Sequence, residues 1–390
     1  MTPIPRRRFL LHTALAAAAA PAVVRAGAPR AWKAAIIGHT GAGDYGHGLD
    51  ALFTGWPNIT VVAVADEHEG GRARVAKACG GARQYADYRE MLEKEKPELV
   101  SIGPRWTVEH HAMGMAALKA GAHLFFEKPF THVLAQADAL LAQADTRRRK
   151  CVVAHPMRLV PSLVFLRQQL AAGLIGDLAE INTFGKMDAR AGGEDMMVLG
   201  SHLFDAVRFL AGDAQWCTAR IREQGREATA RDARESRGER IGPLLGDEIA
   251  AQFGLAQGAL ATFSSSAKLR AMSDGYGMTL TGTRGVVRFR AGYTPLVQLR
   301  RRAGAADQWE RLPGDPLAAA PEAGNATANG NRRLVEDWLQ AIEQDREPVC
   351  SARHAMKAVE MVMAVFHAGM SGRRVALPLA DRAHPLVPAK

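Results

Sequence analysis

The sequence predicts an α/β protein in two parts: a doubly wound parallel sheet in its first half, then an α+β domain with a mainly antiparallel open sheet. Two patterns carry this. Short, near-continuously apolar runs alternate with helical spacing up to about residue 154, and beyond that point strands follow one another in succession. Length agrees, since 390 residues exceed what one hydrophobic core usually serves. Hydrophobic residues make up 47% of the chain and charged residues 23%, a globular balance that excludes disordered and fibrous classes.

Five runs read as parallel strands: 34–37, 60–65, 99–102, 124–126 and 151–154. Between them, residues such as Leu134, Ala137, Leu140 and Leu141, after Thr131 as cap, repeat at the spacing of one helix face. This first domain covers 31–154. In the second, 155–390, a helix at 162–172 and a strand at 178–184 precede a helix at 201–210. Strands at 249–253, 259–264, 278–281 and 286–290 follow, with Gly258 and Gly285 marking turns. Amphipathic helices at 332–344 and 352–370 close the chain. The segments 224–246 and 314–331 are polar, bear Gly and Pro, and are long enough to be functional covers or disordered.

The N-terminus reads as an address. Arg6, Arg7 and Arg8 precede Phe9 and Leu10, an alanine-rich apolar run reaches Val24, and Val24-Arg25-Ala26 has the spacing of a cleavage site. Residues 1–26 are therefore expected to be a twin-arginine signal, directing the protein to the periplasm or otherwise out of the cytoplasm. The run is too short to span a bilayer and contains His12 and Pro21, so no membrane association is expected of the mature form. The formal charge of +10 drops when the signal arginines leave. The basic runs 147–150 and 300–302 lack interleaved aromatics and read as solvated faces, which argues against a nucleic-acid partner. Cys79, Cys151, Cys217 and Cys350 lie far apart, without paired spacing, so no metal site is expected.

Directly after the first strand come Gly38-His39-Thr40-Gly41-Ala42-Gly43-Asp44-Tyr45-Gly46, in which Gly41, Gly43 and Gly46 match G-x-G-x-x-G. Glycines there let the backbone turn tightly and approach a pyrophosphate seated on the N-terminus of a following helix. Asp66 ends the second strand twenty residues beyond Gly46, the place of a ribose-binding carboxylate. The expectation is a Rossmann domain holding NAD through Gly38, Gly41, Gly43, Gly46 and Asp66; the aspartate favours NAD and leaves NADP open.

The strand at 99–102 runs into Gly103-Pro104-Arg105-Trp106, a helix with His110 and His111 follows, and Ala120-Gly121-Ala122-His123-Leu124 leads to Phe126-Glu127-Lys128-Pro129. With His155-Pro156-Met157-Arg158 and the late pair of helices, these motifs resemble the Gfo/Idh/MocA family of NAD(P)-dependent sugar oxidoreductases over nearly the whole mature chain. The resemblance implies that Gly103 and Pro104 line the cofactor, that Glu127 contacts the nicotinamide ribose, and that Arg158 lies on the substrate side. Lys128, at the end of a sheet strand, belongs in the ligand crevice, where an ammonium stabilises alkoxide character as hydride leaves carbon. Pro129 is expected to close a cis peptide.

The segment Gly192 to Asp205 resembles the family's active-site helix, and His202 matches its histidine, a base suited to taking the hydroxyl proton. Asp205, one turn on, can orient the ring or the substrate. Family dehydrogenases commonly carry an aspartate four residues before the histidine, and Val198 stands there instead. Asp195 or Asp188 is the candidate replacement, and Lys186, Asp188 and Arg190 end a strand facing a polyhydroxylated or anionic ligand.

Export would part the enzyme from free nicotinamide pools, so the cofactor is expected to leave with the protein and be recycled in place. Net oxidoreduction of a sugar with a second hydride acceptor meets that condition. Redox-neutral glycoside hydrolysis through oxidation, elimination, hydration and re-reduction also meets it, with His202 or an acid from 224–246 as base. A ligand-binding homologue without catalysis is a third class. Self-association through the open C-terminal sheet is expected.

Overall fold

The computed structural model describes residues 30–236, 239–272, 276–291, 296–301, 308–319 and 322–387, and the expected signal at 1–26 lies outside them. Each apolar run of the first half forms a strand: β1 (Trp32–Ile37), β2 (Ile59–Ala65), β4 (Leu99–Ile102), β5 (His123–Phe126) and β6 (Cys151–Val153). The polar segment Arg83–Tyr85 adds a short edge strand, β3. All neighbours pair in parallel in the order β3-β2-β1-β4-β5-β6. Strand order reverses between β1 and β4, and the ligand crevice of such a sheet lies beyond the carboxyl ends of those strands. Helices α1 (Glu69–Ala78), α2 (Tyr88–Glu95), α3 (Thr107–Lys119) and α4 (Leu134–Arg147) complete the wrap. Thr131 is not the α4 cap; Val133 occupies that place, and the Thr131 hydroxyl donates to the Val133 carbonyl.

One expected element is absent: no helix follows the glycine loop. Residues 40–55 run through successive turns, because Gly46 and Gly48 adopt φ of 60° and 80°, which an α-helix does not accommodate. Leu49, Leu52 and Phe53 from these turns are nonetheless buried against β1, so the segment packs where the helix was expected.

Among the described residues, the second sheet has ten strands. Its main path is Glu310–Arg311, Leu296–Arg301, Gly285–Ala291, Tyr276–Gly282, Leu178–Phe184, Leu260–Ser266, Glu248–Leu255, Ala214–Glu223 and Val375–Ala376. Only Leu178–Phe184 with Leu260–Ser266 pairs in parallel along this path. Gly285 opens a strand instead of marking a turn. The helix Ala326–Glu343 begins inside the segment expected to be a loop, capped by Asn325, whose side chain accepts from the Thr327 and Ala328 amides. Its Leu334, Val335 and Trp338 pack with Trp32, Ile36 and Phe125, so a helix late in the chain covers the first domain. Helix Ala352–Ser371 packs mainly on the second sheet.

Burial traps several histidines as neutral rings: it lowers His155, His132, His354 and His384 to about 4 and His123 to about 3. Such a group binds its proton in the unfolded chain first, so stability is complete above pH 6.5 and is lost as pH falls from there toward the folded value. Each costs about 1.4 kcal/mol per pH unit in that window. The melting temperature is therefore expected to fall steeply between pH 6.5 and 5; a flat profile in a calorimetric pH series would contradict this.

Candidate active site

The crevice is assembled from three loops. Arg105 N donates to Gly43 O at 3.0 Å, joining the loop after β4 to the glycine loop. Both glycines at this junction are required by contact: a Cβ on Gly43 would lie 2.5 Å from Arg105 N, and one on Gly46 would lie 2.8 Å from the Glu127 carboxylate. Gly41 faces open space with φ 84°. Gly38 makes room for the Tyr45 ring, so its lack of a side chain serves packing. Gly103 N donates to Ile37 O, and Pro104 O meets His110 Nε2 at 2.7 Å.

A cavity of about 240 Å³ opens beyond the ends of β1 and β2, walled by Gly38, His39, Asp66, Tyr88 and Met113. Asp66 is placed as expected, but its carboxylate is committed within the protein. It accepts from Thr40 N at 3.1 Å, Thr40 Oγ1 at 2.6 Å and His68 N at 2.9 Å. Burial opposes its ionisation, yet these bonds hold its pKa below the ordinary value. It therefore braces the glycine loop from beneath.

Glu127 and Lys128 follow β5, and the Lys128–Pro129 bond is cis. Glu127 is fully buried with Oε1 2.5 Å from His47 Nδ1, and its Oε2 has no partner. Burial disfavours its charge, but His47 and Lys128 keep it ionised. A buried carboxylate with an open oxygen, beside a glycine whose Cβ would fill the space, fits a ribose hydroxyl. Lys128 is 5% exposed and makes no hydrogen bond among the described residues. Burial lowers its pKa, opposed by Glu127 and Glu239 and assisted by Arg190 and Arg105.

His202 comes from the helix Ser201–Ala211, preceded by the turn Gly193–Asp195 and a π-helical turn, Met196–Gly200. Val198 lies in that π turn and points into the core, 2% exposed. The His202 ring lies 4.9 Å from that of His155, centroid to centroid, tilted by 56°. His202 Nδ1 and both His155 nitrogens are buried without partners. Burial, then His155 and Lys128, push His202 well below its ordinary pKa, so the ring is neutral.

The expected carboxylates fall elsewhere. Asp205 does not orient His202; its Oδ2 accepts from Arg158 Nε at 2.7 Å, and Arg208 lies at 3.7 Å. Arg158 is correspondingly buried in that pair and does not present itself to a ligand. Substituting Asp205 by Ala leaves Arg158 buried and unpaired, with an expected loss of about 3–5 kcal/mol in denaturant unfolding; a loss under about 1 kcal/mol would show the pair to be dispensable. Asp195 accepts from Lys186 N, Met187 N and Ser265 Oγ at 3.2, 3.0 and 2.6 Å. It pins the strand end, where Met187 has φ 54°, instead of replacing the family aspartate. Burial raises its pKa. Asp188 is held by Arg190, which lowers it to about 2, and Lys186 Nζ lies 3.7 Å away. That carboxylate is a poor base, while the half-exposed Lys186 stays at the rim.

His47 was not anticipated from the sequence, His155 entered only as part of a motif with no role of its own, and Glu239 lies in the segment expected to offer an acid. Position alone flags His155, which directly follows the last parallel strand. Glu239 is the acid that segment 224–246 delivers. Far from being a polar loop, this segment seats Ile241, Leu244 and Leu245 in the core. Arg240 O accepts from Thr107 Oγ1 at 3.2 Å, and the Arg240 guanidinium lies 4.7 Å over Trp106. Glu239 Oε2 is buried without a partner. Among the described residues, no cluster of His, Cys, Asp and Glu could hold a metal ion, and no helix is long and apolar enough to cross a membrane.

A dinucleotide-type sheet facing a second domain across a Lys and His site defines a two-domain, nicotinamide-dependent oxidoreductase. The chain belongs to the Gfo/Idh/MocA oxidoreductase family: its NAD-binding Rossmann fold matches residues 32–155, and its C-terminal alpha/beta domain matches 168–377. D-apiose dehydrogenase of Paraburkholderia graminis is 24% identical over 337 residues, spanning 84% of this chain and 85% of that one. A glycosyl hydrolase family 109 protein of Shewanella amazonensis is 24% identical over 154 residues, 36% of this chain and 33% of its own. The structure of levoglucosan dehydrogenase with NADH and levoglucosan superposes with TM-score 0.72 at 17% identity, covering 90% of this chain and all of that one.

Proposed function

We propose that this protein is an exported oxidoreductase acting on a sugar or sugar derivative, with NAD held tightly and recycled in place. The observation that carries this reading is the neutral His202 beside a Lys128 left without a protein partner. Bound NAD supplies the hydride acceptor. Lys128 donates a hydrogen bond to the substrate oxygen and offsets the charge that gathers there, His202 takes the hydroxyl proton, and Glu127 Oε2 and Gly46 receive the cofactor's ribose. The sugar specificity of D-apiose dehydrogenase and levoglucosan dehydrogenase supports a carbohydrate substrate. The twin arginines support export, and with it a cofactor that does not exchange.

A second reading has its own support. Redox-neutral glycoside hydrolysis needs a further base to remove the proton α to a transient ketone. Glu239, with an unpartnered oxygen, and His155, with two unpartnered nitrogens, are surplus to simple dehydrogenation; the glycosyl hydrolase relative points the same way. Self-association through the half-exposed outer face of the ten-stranded sheet is also proposed.

Mass spectrometry of nucleotide released from exported protein, followed by a panel of sugars and glycosides, tests these readings. Lasting appearance of reduced-nicotinamide absorbance with a free sugar supports dehydrogenation. Transient appearance and recovery with release of an aglycone supports hydrolysis. Protein that neither carries nor takes up nucleotide would refute both.

A further inference from the structure

In the usual dinucleotide fold, a helix N-terminus after the first strand carries the partial positive charge that faces the pyrophosphate. This chain has turns there, so that charge is missing. Arg105 stands against the glycine loop, with its guanidinium near Asp44 of that loop. Its backbone is bonded to Gly43, and the absent side chain of Gly43 is what lets the Arg105 and Trp106 amides approach so closely.

The guanidinium itself is unspent. Its nearest carboxylates are Asp44 at 3.6 Å and Glu239 at 3.7 Å, both beyond hydrogen-bonding distance. Its Nε is buried with no partner, although the side chain is about one third exposed. A buried donor left unmade costs more than an ordinary hydrogen bond returns. Two loose ion pairs at partly exposed positions return little. A ligand oxygen would satisfy the group, and a planar fork of donors suits a phosphate. Asp44 and Glu239, one on the glycine loop and one on the second-domain segment, hold the guanidinium between them without consuming its donors.

We propose that Arg105 anchors the pyrophosphate of the dinucleotide, supplying from a side chain the charge that a helix terminus supplies elsewhere. This rests on NAD binding by the family fold, and not on the identity of the sugar or the reaction. Anchoring by a side chain from the loop after β4 also ties cofactor retention to the second domain, since Glu239 and Arg240 dock on that same loop.

The test uses full-length protein stripped of nucleotide, with ADP-ribose and adenosine as probes and titration calorimetry or competition as the readout. Arg105→Gln is expected to weaken ADP-ribose about ten- to a hundredfold while leaving adenosine within about twofold, the scale of a lost charge-assisted hydrogen bond. The ionic-strength dependence of ADP-ribose binding flattens in the same variant. Arg105→Lys, which keeps the charge and loses the fork, falls between and covers the case of a misfolded glutamine variant. Unchanged ADP-ribose affinity in Arg105→Gln overturns the proposal. Equal weakening of both probes also overturns it, because Arg105 would then shape the cavity instead of meeting phosphate. Wild-type protein that binds neither probe removes the proposal and the NAD reading together; a failed sugar panel with these results intact removes only the reaction.

Discussion

Lys128→Met is expected to lower turnover by about two to three orders of magnitude while nucleotide affinity stays within a few-fold, the magnitude attached to one preorganised donor at a developing oxyanion. The placement gives the reason. Lys128 is 5% exposed, makes no hydrogen bond among the described residues, and feels two carboxylates, Glu127 and Glu239, that oppose the effect of burial. An ammonium held in this way is already desolvated when substrate arrives, so little reorganisation remains to be done. Methionine keeps the volume and removes the charge. Arginine keeps the charge but brings a rigid plane and is expected to recover little. The pH dependence has a definite sign: the folded pKa lies below 10.5, so the ammonium is lost as pH rises through that lowered value, and the alkaline limb of kcat/KM precedes that of free lysine. Single-turnover cofactor reduction, with NADH affinity measured alongside, separates the two effects. Turnover within threefold of wild type in Lys128→Met would remove Lys128 from the chemistry.

The parallel sheet was legible because its strands are buried on both faces and read as near-continuous apolar runs, as at 99–102 and 124–126. β3 was not, since Arg-Gln-Tyr at a sheet edge carries no such signal. The glycine motif located the crevice and misjudged the chain after it: G-x-G-x-x-G does not disclose that Gly48 adds another left-handed residue and breaks the helix. Among site residues, those read from a local motif, Glu127, Lys128 and His202, lie near one another, with Glu127 against Gly46 and Lys128 close enough to act on both of the others. Those assigned by helical spacing are committed to other partners. Asp195 and Asp205 were placed on the face of His202 by a 3.6-residue count; a π turn at Met196–Gly200 alters the register between Asp195 and the histidine, whereas Asp205 shares the helix of His202, and each carboxylate has a partner distant in sequence, Ser265 for the first and Arg158 for the second. Glu239 reaches the site by domain packing, for which the sequence has no periodic mark.

His202→Ala is expected to cost about two to four orders of magnitude in kcat/KM, the contribution of a positioned general base, and to abolish the acid limb of the pH profile. The position of that limb in the wild type is the sharper part of the prediction. Burial, reinforced by the His155 ring and the Lys128 charge, lowers His202 well below 6.5. The neutral ring persists as pH falls past 6.5, and kcat/KM stays level until the lowered value is reached. A solvent-exposed histidine would already have lost half its activity at pH 6.5. Because His155 contributes to the depression, His155→Asn is expected to move the limb toward 6.5 while preserving much of the maximum, a displacement that a purely structural role for His155 would not produce. Rapid assays limited to minutes keep this measurement clear of the acid unfolding expected below pH 6.5. A wild-type limb at or above 6.5, or a limb that survives unmoved in His202→Ala, would mean that another group takes the proton. Glu239, a base with an unpartnered oxygen whose charge acts on Lys128, would then be the residue to replace first, and its involvement would favour elimination chemistry over simple oxidation.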